Sequence, residues 1–334
     1  MTIHLALLLQ TVLLVATCHH TVVGAFAEAG NSFSRKKIKK LTFKAKSSPI
    51  ELTSSCTKLI ENKHPPYLAL ITETNACDTD ERVNETFETI RNALGETNQN
   101  GIDLISIRVL NNSDEDNGNE FQRRVVNLAK RIMILKESIV KNSSCLMIEN
   151  DDESNDFFVV INDNVNAALE SNVDGIHVKE GKVSEITKIR QLLEENQRRQ
   201  INATSKEIEK RKQPVIIGTS AHSVDTALST WRKYSPDYFF VGTCYLTNSH
   251  PEKDINDLEG PSLPGKVRQA LCNELKEDKH HCRLPTIFAI GGIDDINCDE
   301  PVKKYGADGV AVIRSIMQSP RPREIVLRMK EKMQ

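Results

Sequence analysis

The stretch that decides the fold is FAIGGI at Phe288–Ile293, followed twelve residues later by GADGVAVIRSI at Gly306–Ile316. Each segment holds a short apolar run, which is typical of a parallel strand buried on both faces. A glycine pair ends the first run, so backbone N–H groups there can approach an anion closely. Residues after the second run can add a helix N-terminus, which also favours phosphate. The two segments predict neighbouring strands with a phosphate site at their carboxyl ends; a tight turn without ligand is the alternative.

Six similar apolar runs precede these two, and helical patterns lie between them. Eight strands alternating with helices predict a (β/α)8 TIM barrel, and an open doubly wound sheet is the alternative. The short, equal strands and the glycines near the last two favour closure. The predicted strands are Tyr67–Thr72, Ile102–Arg108, Phe157–Asn162, Gly175–Val178, Val215–Thr219, Tyr238–Gly242, Thr286–Gly291 and Gly309–Ile313. The predicted helices are Phe121–Leu135, Val165–Glu170, Val183–Leu193, Val224–Tyr234, Gly265–Leu275, Glu300–Tyr305 and a terminal helix near Arg321–Lys332.

Three polar stretches exceed what a minimal barrel needs, namely Asn111–Asn119, Glu149–Asp156 and Gln197–Lys212. We interpret them as solvated insertions into a single enlarged barrel domain.

The first sixty residues have the composition of a targeting leader. Residues 5–16 read LALLLQTVLLVA, which is shorter than the roughly 20 residues of a membrane-spanning helix and fits a signal peptide. We predict a signal peptide over residues 1–25, a basic transit-like segment and linker over 26–60, and the barrel over 61–334. Such a leader resembles that of proteins imported into complex algal plastids. Secretion or retention in the endomembrane system is the alternative.

The charge of the chain divides between leader and body. The whole chain carries 44 basic and 46 acidic residues, a net charge of −2. Residues 1–48 hold seven of the basic residues and one acidic residue, which leaves 37 and 45, or −8, for the remainder. An acidic body argues against nucleic acid as a partner. No later run reaches about 18 apolar residues, so no membrane segment is expected in the mature form. A small-molecule substrate is expected, and the oligomeric state stays open.

The remaining metal and modification motifs are weak. The eight cysteines are scattered without a CxxC pair, and His280-His281-Cys282 fits a solvated loop better than a zinc site. Four asparagines lie in N-x-Ser/Thr sequons, which matter only if the protein meets the glycosylation machinery: Asn84, Asn111, Asn142 and Asn202.

Residues at the carboxyl ends of the predicted strands are candidates for the site, because TIM barrels place their active sites there. Arg108 is costly at a strand end unless it meets an anion or a carboxylate. Asn162-Asp163 can hold a metal, orient a substrate or cap the next helix. Thr247 and Ser249 can donate hydroxyl hydrogen bonds to an anion, although this composition is common in turns.

Two histidines are interpreted differently. His222 lies two residues after Ser220 in the loop that follows the fifth strand, where a histidine can move protons near neutral pH. A hydrogen-bonded structural histidine is the alternative. His177 lies within a strand between Ile176 and Val178, and we interpret it as structural.

These segments together resemble the thiamine phosphate synthase and thiazole tautomerase (TenI) family over roughly Pro66–Ser319. The resemblance is carried by INDNVNAAL with DGIHV, by IIGTSAHS, by DYFFVGTCYLT and by the two segments quoted first. It implies a barrel that binds a thiazole phosphate, with Gly291, Gly292 and the Ile313-Arg314 backbone at the phosphate.

The resemblance to the synthase branch is partial. Asn162-Asp163 match the pair that the synthase uses for pyrophosphate and magnesium, and Ser220, Thr247 and Ser249 also match. Only Arg108 remains of the synthase's Gln-x-Arg-x-Lys run. The second magnesium aspartate falls near Lys182, and the lysine after the T-x-T run is His250.

The tautomerase branch needs no pyrophosphate site, and its proton-shuttle histidine matches His222, although the tautomerase lacks the aspartate at Asp163. We therefore expect tautomerase-like proton transfer without a cofactor, with His222, Arg108 and Ser220 as the catalytic candidates. One alternative is a synthase that joins hydroxymethylpyrimidine pyrophosphate to thiazole phosphate, releases pyrophosphate and needs Mg²⁺, with Asp163 as its metal ligand. The other is a non-catalytic module that binds thiamine phosphates.

The leader gives a testable prediction. A fluorescent protein fused after residue 60 is expected to enter the plastid of a cell with a complex plastid, because the fusion carries both signals. A fusion after residue 25 is expected to stop in the endomembrane system, since it lacks the basic segment. Microscopy of the two fusions checks this, and an identical distribution would contradict the bipartite interpretation.

Overall fold

Eight parallel strands close into a barrel in the order of the chain. The computed structural model describes residues 64–109, 118–145, 155–203, 215–247, 254–277 and 283–334. Each strand pairs with the next, and the last pairs with the first. The predicted (β/α)8 barrel is confirmed, and the open sheet is wrong. The strands are β1 (Tyr67–Ile71), β2 (Leu104–Ile107), β3 (Phe158–Asn162), β4 (Gly175–Val178), β5 (Ile216–Ala221), β6 (Tyr238–Val241), β7 (Thr286–Ile290) and β8 (Gly309–Val312).

Helices follow the strands and cover the outside of the barrel. They are α1 (Asp80–Leu94), α2 (Gly118–Cys145), α3 (Val165–Ser171), α4 (Ile186–Ala203), α5 (Val224–Tyr234), α6 (Leu263–Glu277), α7 (Arg314–Met317) and α8 (Pro322–Met333). Short 3₁₀ turns span Glu180–Glu185 and Ile255–Asp257, and a π turn spans Glu300–Lys304. None of the helices in these six ranges is long and apolar enough to cross a membrane.

Helix α1 is missing from the sequence prediction, although its signals are present. The Thr79 side chain accepts a hydrogen bond from the Arg82 N–H and caps the helix, and Val83, Ile90 and Leu94 are buried along one face. Helix α2 is also longer than predicted, because it begins at Gly118 and continues to Cys145.

Several sequence predictions fall outside the described ranges. These are the leader, most of the Asn111–Asn119 and Glu149–Asp156 stretches, Ser249 and the His280-His281-Cys282 cluster. Of the Gln197–Lys212 stretch, the part up to Ala203 continues helix α4. The sequon residues Asn84 and Asn142 are exposed. The division into leader and barrel remains a prediction.

Aromatic rings fill the interior of the barrel below its mouth. Tyr238 lies near Phe240 and Phe288, with ring centroids 5.0 and 5.9 Å apart. A Cβ at Gly218 would lie 1.9 Å from the Tyr238 ring, so only glycine fits beside it on β5. The filled interior leaves space for a ligand only toward the carboxyl ends of the strands.

Four aspartates at the amino ends of the even-numbered strands repeat one hydrogen-bond pattern. Each carboxylate accepts the backbone N–H of a residue in the preceding strand, and the aspartate N–H donates to the carbonyl of that same residue. Each aspartate carbonyl then accepts the N–H of a residue at the start of the next odd-numbered strand. Each carboxylate also has a cation from a surrounding helix. The four pairs are Asp103 with Lys330, Asp174 with Lys136, Asp237 with Arg190 and Asp308 with Arg268.

The Lys136–Asp174 pair gives a stability prediction. Lys136→Met is expected to lower the free energy of unfolding by about 3–5 kcal/mol, because it leaves a buried carboxylate without its cation. Lys130→Met on the same helix is the control: its ion pair with Glu170 is exposed and 3.8 Å long, so a change within about 0.5 kcal/mol is expected. Urea unfolding measures both, and equal effects would contradict a structural role for the Lys136–Asp174 pair.

Candidate active site

A cavity of about 560 Å³ opens at the carboxyl ends of the strands. Nine of the predicted substrate and catalytic residues line its wall, while Asp163, next to Asn162 in the chain, is not among the lining residues. The roles of these residues remain predictions. The lining set is Arg108, Asn162, Ser220, His222, Thr247, Gly291, Gly292, Ile313 and Arg314.

Glycines shape the end of the cavity that lies under β7 and β8. Gly291 and Gly292 have φ angles of +101° and +64°, which side chains rarely adopt. A Cβ at Gly292 would lie 2.5 Å from the Leu246 carbonyl oxygen, and one at Gly291 would lie 2.6 Å from the Thr243 methyl group. The Tyr245 N–H donates to the Gly291 carbonyl and holds the two loops together. The loop is therefore restricted to glycine at both positions.

Polar groups converge on the same end. An Arg314 Nη donates to the Thr247 hydroxyl at 3.0 Å, which joins the β8 and β6 loops. The Ser315 hydroxyl is buried on the cavity wall with no hydrogen-bond partner among the described residues. Helix α7 is only four residues long. An anion here would therefore be held by loop N–H groups, Arg314 and the Ser315 hydroxyl. Of these, Ser315 was not predicted from the sequence.

The opposite end of the cavity lies under β2, β3 and β4 and is cationic. Arg108 is partly buried, and burial lowers the pKa of its guanidinium. In the described ranges its guanidinium forms no ion pair with a carboxylate, so the predicted salt-bridge alternative is not observed there. A partly buried cation without a counterion favours an incoming anion.

Asn162 and Asp163 are fixed beside Arg108. The Ser106 hydroxyl donates to Asn162 Oδ1 at 2.5 Å. Asp163 has a φ of +56°, and its Oδ1 accepts the Lys179 N–H at 3.3 Å. Its Oδ2 lies 3.4 Å from the Lys179 ammonium and 3.2 Å from the Lys182 ammonium. Lys179 and Lys182 come from the loop after β4. The fold places their ammonium groups next to Asp163.

His177 reaches the wall of the cavity from β4. Its Nε2 is 3.0 Å from the Ser220 hydroxyl, its Nδ1 is 3.2 Å from the Tyr238 hydroxyl, and its ring stacks on Phe240. Burial lowers the pKa of His177 to about 3, so the ring stays neutral at physiological pH. A neutral ring that orients Ser220 agrees with a structural interpretation, but its place on the cavity wall was not expected from the strand pattern.

His222 sits between two carboxylates at the rim. Its Nδ1 is 2.5 Å from the Gly242 carbonyl oxygen, so Nδ1 carries the proton, because a carbonyl only accepts. Nε2 is 3.8 Å from Glu180, and Nδ1 is 3.5 Å from Glu259. Glu259 also accepts the Thr243 N–H at 2.7 Å. Glu259 carries no sequence signal, because it reaches the rim from the loop before helix α6.

The donor set around Asp163 does not suit a magnesium ion. Mg²⁺ requires near-octahedral oxygen ligands at about 2.1 Å. Asp163 Oδ2 is buried and accepts no hydrogen bond, yet two ammonium groups already lie beside it. Asn162 Oδ1 is taken by the Ser106 hydroxyl. Within the described residues no group of three or more histidine, cysteine or acidic side chains could hold a metal.

The fold and its mouth define a class, the (β/α)8 barrels with a glycine-lined, cationic cavity at the carboxyl ends of the strands. Residues 153–316 match the family model described as thiamine monophosphate synthase. This match confirms the resemblance to the thiamine phosphate synthase/TenI family that the motifs carry.

Individual relatives agree with this assignment. A thiamine-phosphate synthase of Geobacillus kaustophilus is 30% identical over 49% of this chain and 58% of its own length. One of Methanobrevibacter smithii is 27% identical over 67% of this chain and 92% of its own. The chain spans about three fifths of the length of several bacterial relatives.

A solved structure supports the fold. Thiamine phosphate pyrophosphorylase of Pyrococcus furiosus aligns with a TM-score of 0.51 and 20% identity over 80% of this chain and 95% of its own. Both relatives compared by sequence are named synthases, so the expected tautomerase-like function is not confirmed, and the synthase alternative is better supported.

His177 gives a pH prediction. Its pKa is lower folded, about 3, than unfolded, about 6.5, so the unfolded chain takes up the proton first as pH falls. Stability is therefore lost below about pH 6.5, and His177 is expected to contribute about 2.5 kcal/mol of the loss between pH 7.5 and 4.5. His177→Asn should remove that part of the slope, whereas His64→Asn, at an exposed position, should not.

Urea unfolding at several pH values measures the slopes. Should His177→Asn prove too unstable, the wild-type His177 resonances followed by NMR serve instead. A titration near pH 6.5 would contradict the buried, neutral ring.

Proposed function

We propose that this barrel is a thiamine phosphate synthase, which joins hydroxymethylpyrimidine pyrophosphate to thiazole phosphate and releases pyrophosphate. The observation that carries the proposal is that two ends of one cavity carry groups suited to an anion: the Gly291-Gly292 loop with Arg314 at one end, and Arg108 with Lys179 at the other. In a closed eight-stranded barrel β3 lies opposite β7, so the Arg108 end and the Gly291-Gly292 end face each other across the mouth. Two phosphorylated substrates require two such ends, whereas tautomerisation of one thiazole phosphate requires one.

The glycine end suits the thiazole phosphate. The N–H groups of a loop restricted to glycine at two positions can approach a phosphate without side-chain obstruction. Arg314 adds a positive charge, and the Ser315 hydroxyl is a buried donor that lacks a partner in the described structure. Together they would hold the phosphate and leave the thiazole ring facing the centre of the cavity.

The cationic end suits the pyrophosphate. In the reaction the bond between the pyrimidine methylene carbon and the pyrophosphate oxygen breaks, and its electron pair leaves with pyrophosphate. The thiazole nitrogen then forms the new C–N bond to that carbon. Fixed positive charge at the leaving oxygens stabilises this separation of charge. Arg108 and the ammonium of Lys179 line the cavity where that charge would develop.

The middle of the cavity offers neutral hydrogen-bonding groups for the pyrimidine. His177 is held neutral by burial and fixes the Ser220 hydroxyl at 3.0 Å. Asn162 is fixed by Ser106. Rigid donors and acceptors orient a heterocycle without large reorganisation, which favours the attacking geometry.

A tautomerase is the second candidate, and His222 favours it. The imidazole lies between Glu180 and Glu259 at the rim, an arrangement that can relay a proton. Tautomerisation needs only such a relay and the glycine end. A non-catalytic carrier of thiamine phosphates is the remaining alternative.

Turnover of the full chain with defined substrates tests the proposal. With hydroxymethylpyrimidine pyrophosphate and thiazole phosphate together, thiamine phosphate and pyrophosphate are expected in equal amounts. Arg108→Gln is expected to lower the rate by about 10²-fold, as for the loss of one group that stabilises transition-state charge. Arg232→Gln is the control, because it removes one surface cation paired with Glu274 on the outer helices. Chromatography of the products measures all three proteins.

His222→Ala separates the candidates. The synthase proposal expects condensation to stay within a few-fold of wild type. Interconversion of the thiazole tautomers without the pyrimidine, abolished by His222→Ala, would support the tautomerase instead. Tight binding of both substrates without any turnover would indicate the carrier.

A further inference from the structure

We propose that the ammonium groups of Lys179 and Lys182 replace a divalent cation at Asp163, so that this chain binds a diphosphate group without Mg²⁺. The inference rests on the proposed function only for the identity of the diphosphate as the leaving group. The residues concerned are Lys179-Glu180-Gly181-Lys182, which follow β4. The 3₁₀ turn begins at Glu180 within this segment.

The first observation is the position of the Asp163 carboxylate. Asp163 lies at the end of β3, and its Oδ1 is fixed by the Lys179 N–H. The side chain is only 10% exposed. Its Oδ2 is buried and accepts no hydrogen bond in the described structure, so it is the oxygen that can pair with a cation. Two ammonium groups lie 3.2 and 3.4 Å from that same oxygen.

The local charge is in excess. One carboxylate meets two ammonium groups, which leaves one net positive charge at Asp163. Arg108 adds another at the same end of the cavity and has no carboxylate partner in the described ranges. The nearby Glu180 carboxylate points toward His222, 3.8 Å from its Nε2. The Arg108 end of the cavity therefore favours an anion with more than one negative charge.

The two lysines can follow a ligand. Their side chains are 57% and 52% exposed, and a lysine carries its charge on a flexible four-carbon stem. Lys179 already lines the cavity. The ammonium groups can therefore contact diphosphate oxygens while Asp163 keeps them near the site in its absence.

A divalent cation would compete with both lysines. An ion bound to Asp163 Oδ2 would place two further positive charges beside two ammonium groups, and like charges at this range repel strongly. Asn162 Oδ1 is occupied by Ser106, and position 182, which faces Asp163, holds a lysine instead of a second oxygen ligand. The ammonium pair and the metal are alternatives for one place.

Inorganic pyrophosphate is the probe for the test, titrated calorimetrically into the full chain with EDTA or with excess Mg²⁺. Wild type is expected to bind in EDTA, with a Kd no more than about threefold different in Mg²⁺. Lys182→Met should weaken binding in EDTA by roughly tenfold, the effect of one lost charge-assisted contact, without recovery in Mg²⁺. Lys182→Asp should weaken it further and recover in Mg²⁺, because it creates a pair of carboxylates.

A second readout needs no ligand. Loss of the free Mn²⁺ signal in electron paramagnetic resonance reports metal binding directly. Wild type is expected to leave the signal unchanged, and Lys182→Asp is expected to diminish it. Lys188→Asp is the charge-matched control on the exposed face of helix α4 and should behave as wild type in both measurements.

The outcomes separate this inference from the proposed function. Two binding results would overturn the inference: pyrophosphate binding by wild type that requires a metal, or Mn²⁺ binding by wild type that requires Asp163. Condensation that strictly requires Mg²⁺ would also overturn the inference, but it would leave the proposed function intact. Metal-free pyrophosphate binding without condensation would uphold the inference and overturn the function. Absence of pyrophosphate binding under both conditions would overturn the inference, while the turnover measurement would still decide the function.

Discussion

The register of the barrel depends on four carboxylates, three buried and one partly buried, at the amino ends of its even-numbered strands. Each one exchanges hydrogen bonds with a single residue of the preceding strand, which fixes that pair of strands at one relative height. A buried carboxylate is tolerated only with a cation, and each cation arrives from a surrounding helix. The same contacts therefore set strand height and dock the helices. The four aspartates are Asp103, Asp174, Asp237 and Asp308.

The geometry of the candidate site, at the carboxyl ends of the strands, depends on this register. In the β3–β4 pair Asn162 stands beside His177, and in the β4–β5 pair His177 stands beside Gly218, two residues before Ser220. A slip by one residue would turn these side chains toward the helices, since alternate residues of a strand face opposite sides. The contacts that shape the cavity, Ser106 to Asn162 and His177 to Ser220, exist only in the register that the aspartates impose. Stability at one end and binding geometry at the other are thus consequences of the same pairing.

Local signals made much of the fold predictable. Strand β4 and helix α5 have the predicted bounds, because short apolar runs and an amphipathic period with a serine cap are properties of a few adjacent residues. The aspartate pattern escaped detection, because one acidic residue before a buried strand looks like an ordinary loop until the neighbouring strand is placed. His177 was interpreted from its apolar neighbours alone, whereas its contact with Ser220 joins positions 43 residues apart. The contacts of Lys179 and Lys182 with Asp163 likewise join two loops. The sequence therefore placed Lys182 near the expected aspartate without showing that both ammonium groups contact Asp163.

The positive charges near the mouth of the cavity contrast with the negative net charge of the chain. With residues 1–48 removed, the remainder carries 37 basic and 45 acidic residues, so the overall field repels an anionic substrate. Attraction must come from charges within a Debye length of the cavity, about 8 Å at physiological ionic strength. Arg108, Lys179 and Lys182 lie on one side and Arg314 on the other. The carboxylates that oppose them are those of Asp163, Asp294, Glu180 and Glu259. Cations built into the chain cannot leave with the product as a metal ion can. A barrel of this design would therefore bind its anionic substrate without Mg²⁺. It would also release diphosphate more slowly, because the cations that attract the substrate also bind the released diphosphate.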